Sequence, residues 1–125
     1  LLKKILTEWP RPEIILFRVL NKEGYKFKRH YDLPGKPDVV FIKKKLAIFI
    51  DGEFWHGKDF RFWKHKLTLF WFTKISDNLR RDKKNDRVLK KMGWQVVHIW
   101  GRDVVKKTHK TLLKVSKIFE KSNPH

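Results

Sequence analysis

Two short runs of β-branched and aliphatic residues, at positions 39–42 and 46–50, constrain the fold of this chain more than any other feature. Only Lys43, Lys44 and Lys45 separate them, so the runs are predicted to be neighbouring strands of a hairpin. Each run lacks charged residues, which suits a buried strand in a chain where 35% of the residues are charged. The basic loop is longer than a two-residue turn and leaves its geometry open.

The other elements follow from hydrophobic periodicity and from turn residues. A helix is predicted to begin at Pro12 and to stop at 21–24, followed by a half-exposed edge strand at 25–30 and a turn at 33–37. A helical stripe at 71–92 ends at Gly93, and a strand at 94–100 and a last helix from about Asp103 follow. This order predicts an α/β fold with a sheet covered by helices on both faces.

Length and composition limit the class of protein. A chain of 125 residues has room for one domain, predicted to span 1–125. No apolar run approaches the roughly 18 residues that a membrane span needs, and the N-terminus shows no signal-peptide pattern. The absence of cysteine excludes disulfides, thiol nucleophiles and thiolate metal sites, and it fits a reducing compartment.

Charge is the most pronounced global feature of the sequence. Lys and Arg number 31 against 13 Asp and Glu, which gives a formal net charge of +18. Such a surface attracts polyanions, with DNA or RNA as the natural partner. The alternative is a lysine-rich proteome, in which a basic protein carries no such meaning.

Two carboxylates are placed where strands begin and end. Asp38 precedes the first of the two central runs and Asp51 follows the second, so both can meet at one edge of the sheet. Hard oxygen ligands so arranged suit Mg²⁺, although solvated aspartates at strand ends are also common. His56, five residues after Asp51, could take a proton from an attacking water, or it could be an ordinary loop histidine. No role is assigned to the remaining histidines, because none has a comparable carboxylate context in the sequence; they are His30, His65, His98, His109 and His125.

The predicted helix at 71–92 carries polar residues on its apolar stripe. Asp82 and Asp86 replace aliphatic residues there, and Asn78 lies one turn before Asp82. Polar groups on a buried face are costly unless they have partners. Either these aspartates form salt bridges with nearby lysine and arginine residues or they face the active site; the first is favoured for Asp86 and the second for Asp82. Glu13 could point toward the same sheet edge from the first helix.

Several gapped motifs together resemble the very short patch repair (Vsr) mismatch endonucleases. They are 33–38 (LPGKPD), 49–56 (FIDGEFWH), 70–71 (FW), 74–75 (KI), 78 (N), 80–82 (RRD), 93–96 (GWQV) and 99–100 (IW). The resemblance runs from about Pro12 to Trp100. It implies a three-layer α/β/α restriction-endonuclease-like core of the PD-(D/E)xK type with a mixed central sheet. It also implies Mg²⁺-dependent nicking of double-stranded DNA at or near a T:G mismatch.

The same resemblance implies roles for individual residues. Asp38 resembles the principal metal ligand of the family, and the main-chain carbonyl of Ile50 resembles a second ligand. His56 resembles the general base or its close partner. Asp51 and Asp82 are also expected among the catalytic residues. Asp51 is further expected to be a ligand to one or two Mg²⁺ ions. Glu13 matches an acidic residue that orients the site. The expected DNA-binding residues are Phe54, Trp55 and Trp71, which resemble aromatics wedged into the base stack, together with Asn78 and Arg81.

Three departures from the family pattern bear on specificity. Asp51 stands where the best-known members carry a second histidine, and Glu53 stands where the PD-(D/E)xK pattern has lysine. The family's structural zinc site uses cysteine, so no zinc is expected here.

The alternatives that stay open are a Vsr-like homing or site-specific nicking endonuclease and a non-catalytic basic DNA-binding domain. The expected form is a monomer in the cytoplasm of a prokaryote, or one encoded by a phage.

Overall fold

The computed structural model describes residues 11–52 and 68–122 of the chain. Within these ranges the elements, in order, are α1 (Pro12–Lys22), β1 (Lys28–Arg29), β2 (Val39–Phe41), β3 (Leu46–Asp51), α2 (Leu69–Lys91), β4 (Gln95–Trp100), α3 (Gly101–Lys106) and α4 (Thr108–Lys121). No helix in the described ranges has the length and apolar content that crossing a membrane requires.

The strands form one mixed sheet in the order β1-β2-β3-β4. The first two pairings are antiparallel, whereas β3 and β4 run parallel and are paired along their whole length. Parallel neighbours need a long crossover connection, and α2 lies in the segment that joins them. The predicted hairpin is confirmed, because β2 and β3 pair in register with Val39 opposite Ile48. Its turn is closed by the N–H of Lys45, which donates to the carbonyl of Ile42 at 3.1 Å.

Helices cover both faces of this sheet, as predicted. On one face α1, α3 and α4 enclose the larger core, whose buried members are Leu16, Phe17, Leu20, Val39, Phe41, Leu46, Ile48, Ile99, Val104 and Val115. On the other face α2 packs Leu89 against Val40, Ala47 and Trp94. Successive residues of β3 alternate between the two cores, since side chains of a strand point to opposite faces. The architecture is therefore the three-layer α/β/α arrangement.

Turn and helix signals in the sequence are confirmed at several boundaries. Pro12 opens α1 in its first turn, and Gly93 follows the C-terminus of α2 with a φ of 89°. The turn at 33–37 is closed by the N–H of Lys36, which donates to the carbonyl of Leu33 at 2.8 Å. Gly35 adopts a φ of 80° there, and an added Cβ would lie 3.1 Å from the ring of Phe49. That position therefore requires glycine on two grounds.

Two expectations differ from the structure. The edge strand predicted at 25–30 is reduced to Lys28–Arg29, because β2 ends at Phe41 and offers residues 25 and 26 no strand partner. Tyr25 instead packs on α4, where its hydroxyl donates to Oγ of Ser116 at 2.8 Å. The last helix is two helices, broken at Lys107. The Thr108 hydroxyl there donates to the carbonyl of Val104 at 2.6 Å, a side-chain bond that competes with the regular helix.

Candidate active site

Asp38 caps the part of β3 that extends beyond β2. Since β2 begins at Val39, opposite Ile48, the N–H of Ile50 lies past the first residue of β2. The Asp38 carboxylate takes the place of a strand partner, and its Oδ2 accepts a hydrogen bond from that N–H at 2.7 Å. The N–H and C=O of a residue in an extended strand point to the same side. The Ile50 carbonyl therefore also points toward the side of the sheet on which Asp38 lies.

The electrostatics around Asp38 favour a cation. Burial raises the pKa of its carboxyl, and the negative charges of Glu13 and Asp51 raise it further. The Ile50 N–H and His30 lower the pKa in part, but the net direction is upward. The His30 ring contributes through Nδ1, which lies 3.8 Å from Oδ1 of Asp38. Two further acidic side chains therefore act on Asp38 at this end of the sheet, and a bound cation would relieve the repulsion.

The start of α1 brings Glu13 to this place. Gly101, at the start of α3, lies so close to Pro12 that an added Cβ would be 2.8 Å from Pro12 Cγ and 3.5 Å from the carbonyl oxygen of Asp51. The first turn of α1, the end of β3 and the start of α3 thus meet at one point. The Glu13 side chain is held there by Arg11, whose Nε lies 2.8 Å from Oε1 of Glu13.

A chain of polar contacts connects Asp51 to α2 through a histidine on β4. Oδ2 of Asp51 lies 2.7 Å from Nδ1 of His98, and Nε2 of the same ring lies 2.7 Å from Oδ2 of Asp86. The His98 ring is stacked on Phe49, its register partner on β3, with centroids 4.9 Å apart and planes at 14°. Asp51 itself is buried. We call Asp51, His98 and Asp86 the Asp-His-Asp chain.

The two carboxylates raise the pKa of His98 to about 9. The hydrogen bond to Asp51 is the largest cause, and burial acts against it. The charge of Asp51 and the hydrogen bond and charge of Asp86 add to the rise. The ring therefore carries a positive charge at neutral pH and donates a hydrogen bond to both aspartates.

Two expectations from the sequence are wrong at this point. His98 and His30 were expected to lack a carboxylate context, yet both lie against aspartates. Asp86 was expected to pair with lysine or arginine, but in the described part of the chain its partner is His98. The signal for this contact was present in the sequence as His98, a polar residue between Val97 and Ile99 in the strand at 94–100. It faces the polar positions on the apolar stripe of α2.

The candidate metal ligands near the end of β3 are oxygen atoms, the kind of ligand that Mg²⁺ binds. Among residues 11–52 and 68–122, no group of three His, Cys, Asp or Glu side chains could hold a metal ion. The expected ligands are fewer, namely the carboxylates of Asp38 and Asp51 and the carbonyl of Ile50. Mg²⁺ keeps several waters and takes one or two carboxylates from a protein, so a sparse set of oxygen atoms matches its chemistry.

The expected DNA-binding residues of α2 lie along its first half. The helix is capped by Thr68, and Trp71 in its first turn is half-buried beside Lys74, whose Nζ lies 5.7 Å from the indole centroid. Asn78 accepts a hydrogen bond from the Arg81 guanidinium. Asp82 is half-buried one turn before Asp86, on the same side of the helix. Phe54, Trp55 and His56, like Glu53, lie outside the described residues.

Comparison with known proteins gives consistent matches. A family profile described as DNA mismatch endonuclease Vsr matches residues 1–66. A type II nicking enzyme of Haemophilus parainfluenzae, V.HpaIIP, is 40% identical over 116 residues, covering 89% of this chain and 82% of that protein. A second nicking enzyme, V.NmeDIP of Neisseria meningitidis serogroup C, is 41% identical over 102 residues, covering 78% and 69%.

The DNA mismatch endonuclease Vsr of Escherichia coli K12 is 32% identical over 102 residues, covering 79% of this chain and 65% of that protein. The family profile spans more than half of the chain, and the nicking enzymes exceed 30% identity over more than two thirds of their own lengths. These matches extend the resemblance seen in the motifs to most of the sequence. The chain therefore belongs to the Vsr family and is a DNA endonuclease.

Proposed function

We propose that this protein is a Mg²⁺-dependent endonuclease that nicks one strand of double-stranded DNA at or near a T:G mismatch, as in very short patch repair. The observation that carries the proposal is the convergence of Glu13, Asp38 and Asp51 at one end of the sheet, in a chain of net charge +18. Acidic side chains repel the phosphates that such a surface attracts, unless a cation lies between them. A site for phosphodiester hydrolysis reconciles the two features.

The Asp38 and Asp51 carboxylates and the Ile50 carbonyl would hold one or two Mg²⁺ ions in this mechanism. Bound Mg²⁺ supplies positive charge that polarises the scissile phosphate and lowers the pKa of a water molecule. Glu13 orients the acidic cluster, and Asp82 belongs to the same catalytic set. His56 accepts the proton of the attacking water, in keeping with the ordinary pKa range of histidine.

DNA would be held by the basic residues of α2 and tested by aromatic rings. Arg81 and Asn78 contact the phosphate backbone, which fixes the position of the protein without reading sequence. Phe54, Trp55 and Trp71 enter the base stack beside the mismatch, where ring stacking replaces part of the base stacking that is lost, about 1–3 kcal/mol per base. We infer that the protein acts as a monomer inside a prokaryotic cell.

The test is a nicking assay on two labelled duplexes that differ only in one T:G or T:A pair. We expect strand cleavage of the mismatched duplex in Mg²⁺, none in EDTA, and none by an Asp38→Asn variant. The same variant should still bind the duplex, because the change removes a negative charge and leaves the basic surface intact. Equal cleavage by Asp38→Asn and by the unchanged protein would refute the proposal.

A second candidate is site-specific nicking of undamaged DNA. Its support comes from the relatives in H. parainfluenzae and N. meningitidis, which are type II nicking enzymes. Asp51, where the best-known mismatch enzymes carry histidine, is consistent with a different specificity. Mapping of nicks on matched plasmid DNA distinguishes the two candidates: discrete nicks at a repeated sequence favour the second, and cleavage confined to the T:G duplex favours the first.

A further inference from the structure

We propose that His98 is a positioning residue that fixes the carboxylate of Asp51 for metal binding and is itself held in place by Phe49 and Asp86. The inference rests on the proposed function of the acidic cluster, and it adds two residues, on β4 and α2, to the machinery of the site. Neither belongs to the motifs through which the chain resembles its family.

The His98 ring is fixed on three sides. Phe49 lies opposite His98 in the β3–β4 register and stacks on the ring at a centroid distance of 4.9 Å. Nδ1 is bound to Asp51 and Nε2 to Asp86, each at 2.7 Å. A ring with both nitrogens engaged and one face covered has a single orientation, because rotation about either side-chain torsion would break at least one of these contacts.

Asp51 is the residue that gains from this arrangement. It is the last residue of β3, and His98 holds its side chain from the neighbouring strand β4. The bond to His98 Nδ1 fixes Oδ2 and thereby the plane of the whole carboxylate. A ligand that is already oriented loses less conformational entropy when it binds a cation, and partners of this kind typically change metal affinity 10–100-fold.

Asp86 extends the same restraint to α2. Its carboxylate is bound from the far side of the ring, so the Asp-His-Asp chain joins the helix to β4 and to the end of β3. Gly35 packs against the edge of the Phe49 ring on which His98 stacks. The orientation of one carboxylate thus depends on contacts from three separate parts of the fold.

The competing explanation is that the Asp-His-Asp chain only attaches α2 to the sheet. Both explanations predict that loss of His98 lowers stability, so stability alone does not separate them. They differ in the metal dependence of the folded protein, because a contact that only attaches α2 to the sheet would leave the affinity for a divalent ion unchanged. The test therefore measures divalent-ion affinity directly as well as activity.

His98→Phe removes both nitrogens and keeps an aromatic ring on Phe49. We expect the Mg²⁺ concentration for half-maximal nicking under single-turnover conditions to rise about 10–100-fold. Mn²⁺ affinity, measured by electron paramagnetic resonance without DNA, should fall by a similar factor. Duplex binding in EDTA should be unchanged. His109→Phe, the same change at an exposed position of α4, is the matched control and should leave the metal dependence unaltered.

Asp86→Ala provides a second variant in case His98→Phe does not fold. It leaves Asp51 and His98 in place, removes only the outer contact and is favourable for a helix. We expect a smaller rise in the required Mg²⁺, of a few-fold. In an Asp51→Asn background, His98→Phe should have no further effect, because His98 acts through Asp51.

The outcomes separate this inference from the proposed function. If the unchanged protein does not nick DNA in Mg²⁺, or if Asp38→Asn is equally active, the proposed function fails and the inference fails with it. If Asp38→Asn is inactive while His98→Phe and Asp86→Ala show unchanged Mg²⁺ and Mn²⁺ dependence, only the inference is overturned. If His98→Phe fails to fold, unchanged metal dependence in Asp86→Ala is by itself enough to overturn the inference, and the proposed function stands.

Discussion

The main-chain N–H of Ile50 and the carboxylate of Asp38 are joined by a 2.7 Å hydrogen bond that replaces the strand pairing missing at the end of β3. The same carboxylate carries an unfavourable charge, because burial and the neighbouring Glu13 and Asp51 raise its pKa. Asp38 thus stabilises the strand as an acceptor and destabilises the fold as an anion. The two effects can be separated by substitution.

Asp38→Asn should increase the stability of the metal-free protein. The amide oxygen can still accept the Ile50 N–H, whereas the charge that burial disfavours is gone. We expect a melting temperature a few degrees higher than that of the unchanged protein at pH 7 in EDTA. Addition of Mg²⁺ should raise the melting temperature of the unchanged protein but not of the variant. A variant that melts lower in EDTA would contradict this account of Asp38.

The raised pKa of His98 predicts a stability contribution with a defined pH range. Because the pKa of about 9 in the folded protein exceeds the ordinary 6.5, the contribution is complete below about pH 6.5 and is lost as the pH rises through about 9. His98 is 31% exposed, so solvent screening reduces the effect, and we expect about 2 kcal/mol.

Urea unfolding at pH 6 and at pH 9.5 measures this contribution. The difference in unfolding free energy between the unchanged protein and His98→Phe should be large at pH 6 and smaller at pH 9.5. His109→Phe supplies the baseline for general effects of alkaline pH. A difference that stays constant between the two pH values would show that His98 is not charged in the folded state.

Gly101→Ala should impair both stability and cleavage. Its Cβ would lie 2.8 Å from Pro12 Cγ, so α1 and α3 must move apart. Overpacking of this kind typically costs about 1–3 kcal/mol. Because Glu13 follows Pro12, the displacement also moves Glu13 relative to Asp51, and we expect slower single-turnover nicking. Asn21→Ala, an uncharged change at an exposed position of α1, is the control and should leave both stability and cleavage unaltered.

Leu89→Ala should test how firmly α2 is attached to the sheet. Leu89 is fully buried in the smaller core, whereas its neighbour Val88 is 38% exposed. Removal of a buried leucine side chain costs about 2–5 kcal/mol, and most surface changes cost no more than about 0.5 kcal/mol. Chemical unfolding of Leu89→Ala and Val88→Ala should show this contrast. Similar losses in both variants would mean that α2 is packed differently.

Arg81→Gln should weaken DNA binding without changing preference between duplexes. Loss of one phosphate contact lowers the slope of log affinity against log salt concentration by about one. Fluorescence anisotropy over a salt series, with the T:G and T:A duplexes, measures both quantities. Arg18→Gln, on the exposed side of α1 in the opposite layer, is the control and should keep the original slope.

The sequence predicted the central hairpin and both helical layers, because these depend on local periodicity. The runs at 39–42 and 46–50 have few alternatives to pairing with each other, and Pro12 and Gly93 mark helix boundaries for reasons of backbone geometry. The edge strand was overestimated, since its length depends on where β2 ends. That limit is set by the turn at Ile42–Lys45 and not by residues 25–30 themselves.

The candidate site was only partly predictable. Asp38 and Asp51 could be identified because they flank two obvious strands, but the contact of Asp51 with His98 depends on which strand lies beside β3. Parallel pairing aligns Phe49 with His98, and no local pattern reports that register. Asp86 was visible as a polar residue on an apolar stripe, yet its partner could not be found without the packing angle of α2.

Because β3 pairs in parallel with β4, the residues of the candidate site come together late in folding. Glu13, Asp51 and His98 are far apart in sequence, and they meet only after the chain has crossed over through α2 and added its last strand. A polypeptide that ends before β4 lacks His98 and the strand that pairs with β3 in parallel, so the Asp-His-Asp chain cannot form in it.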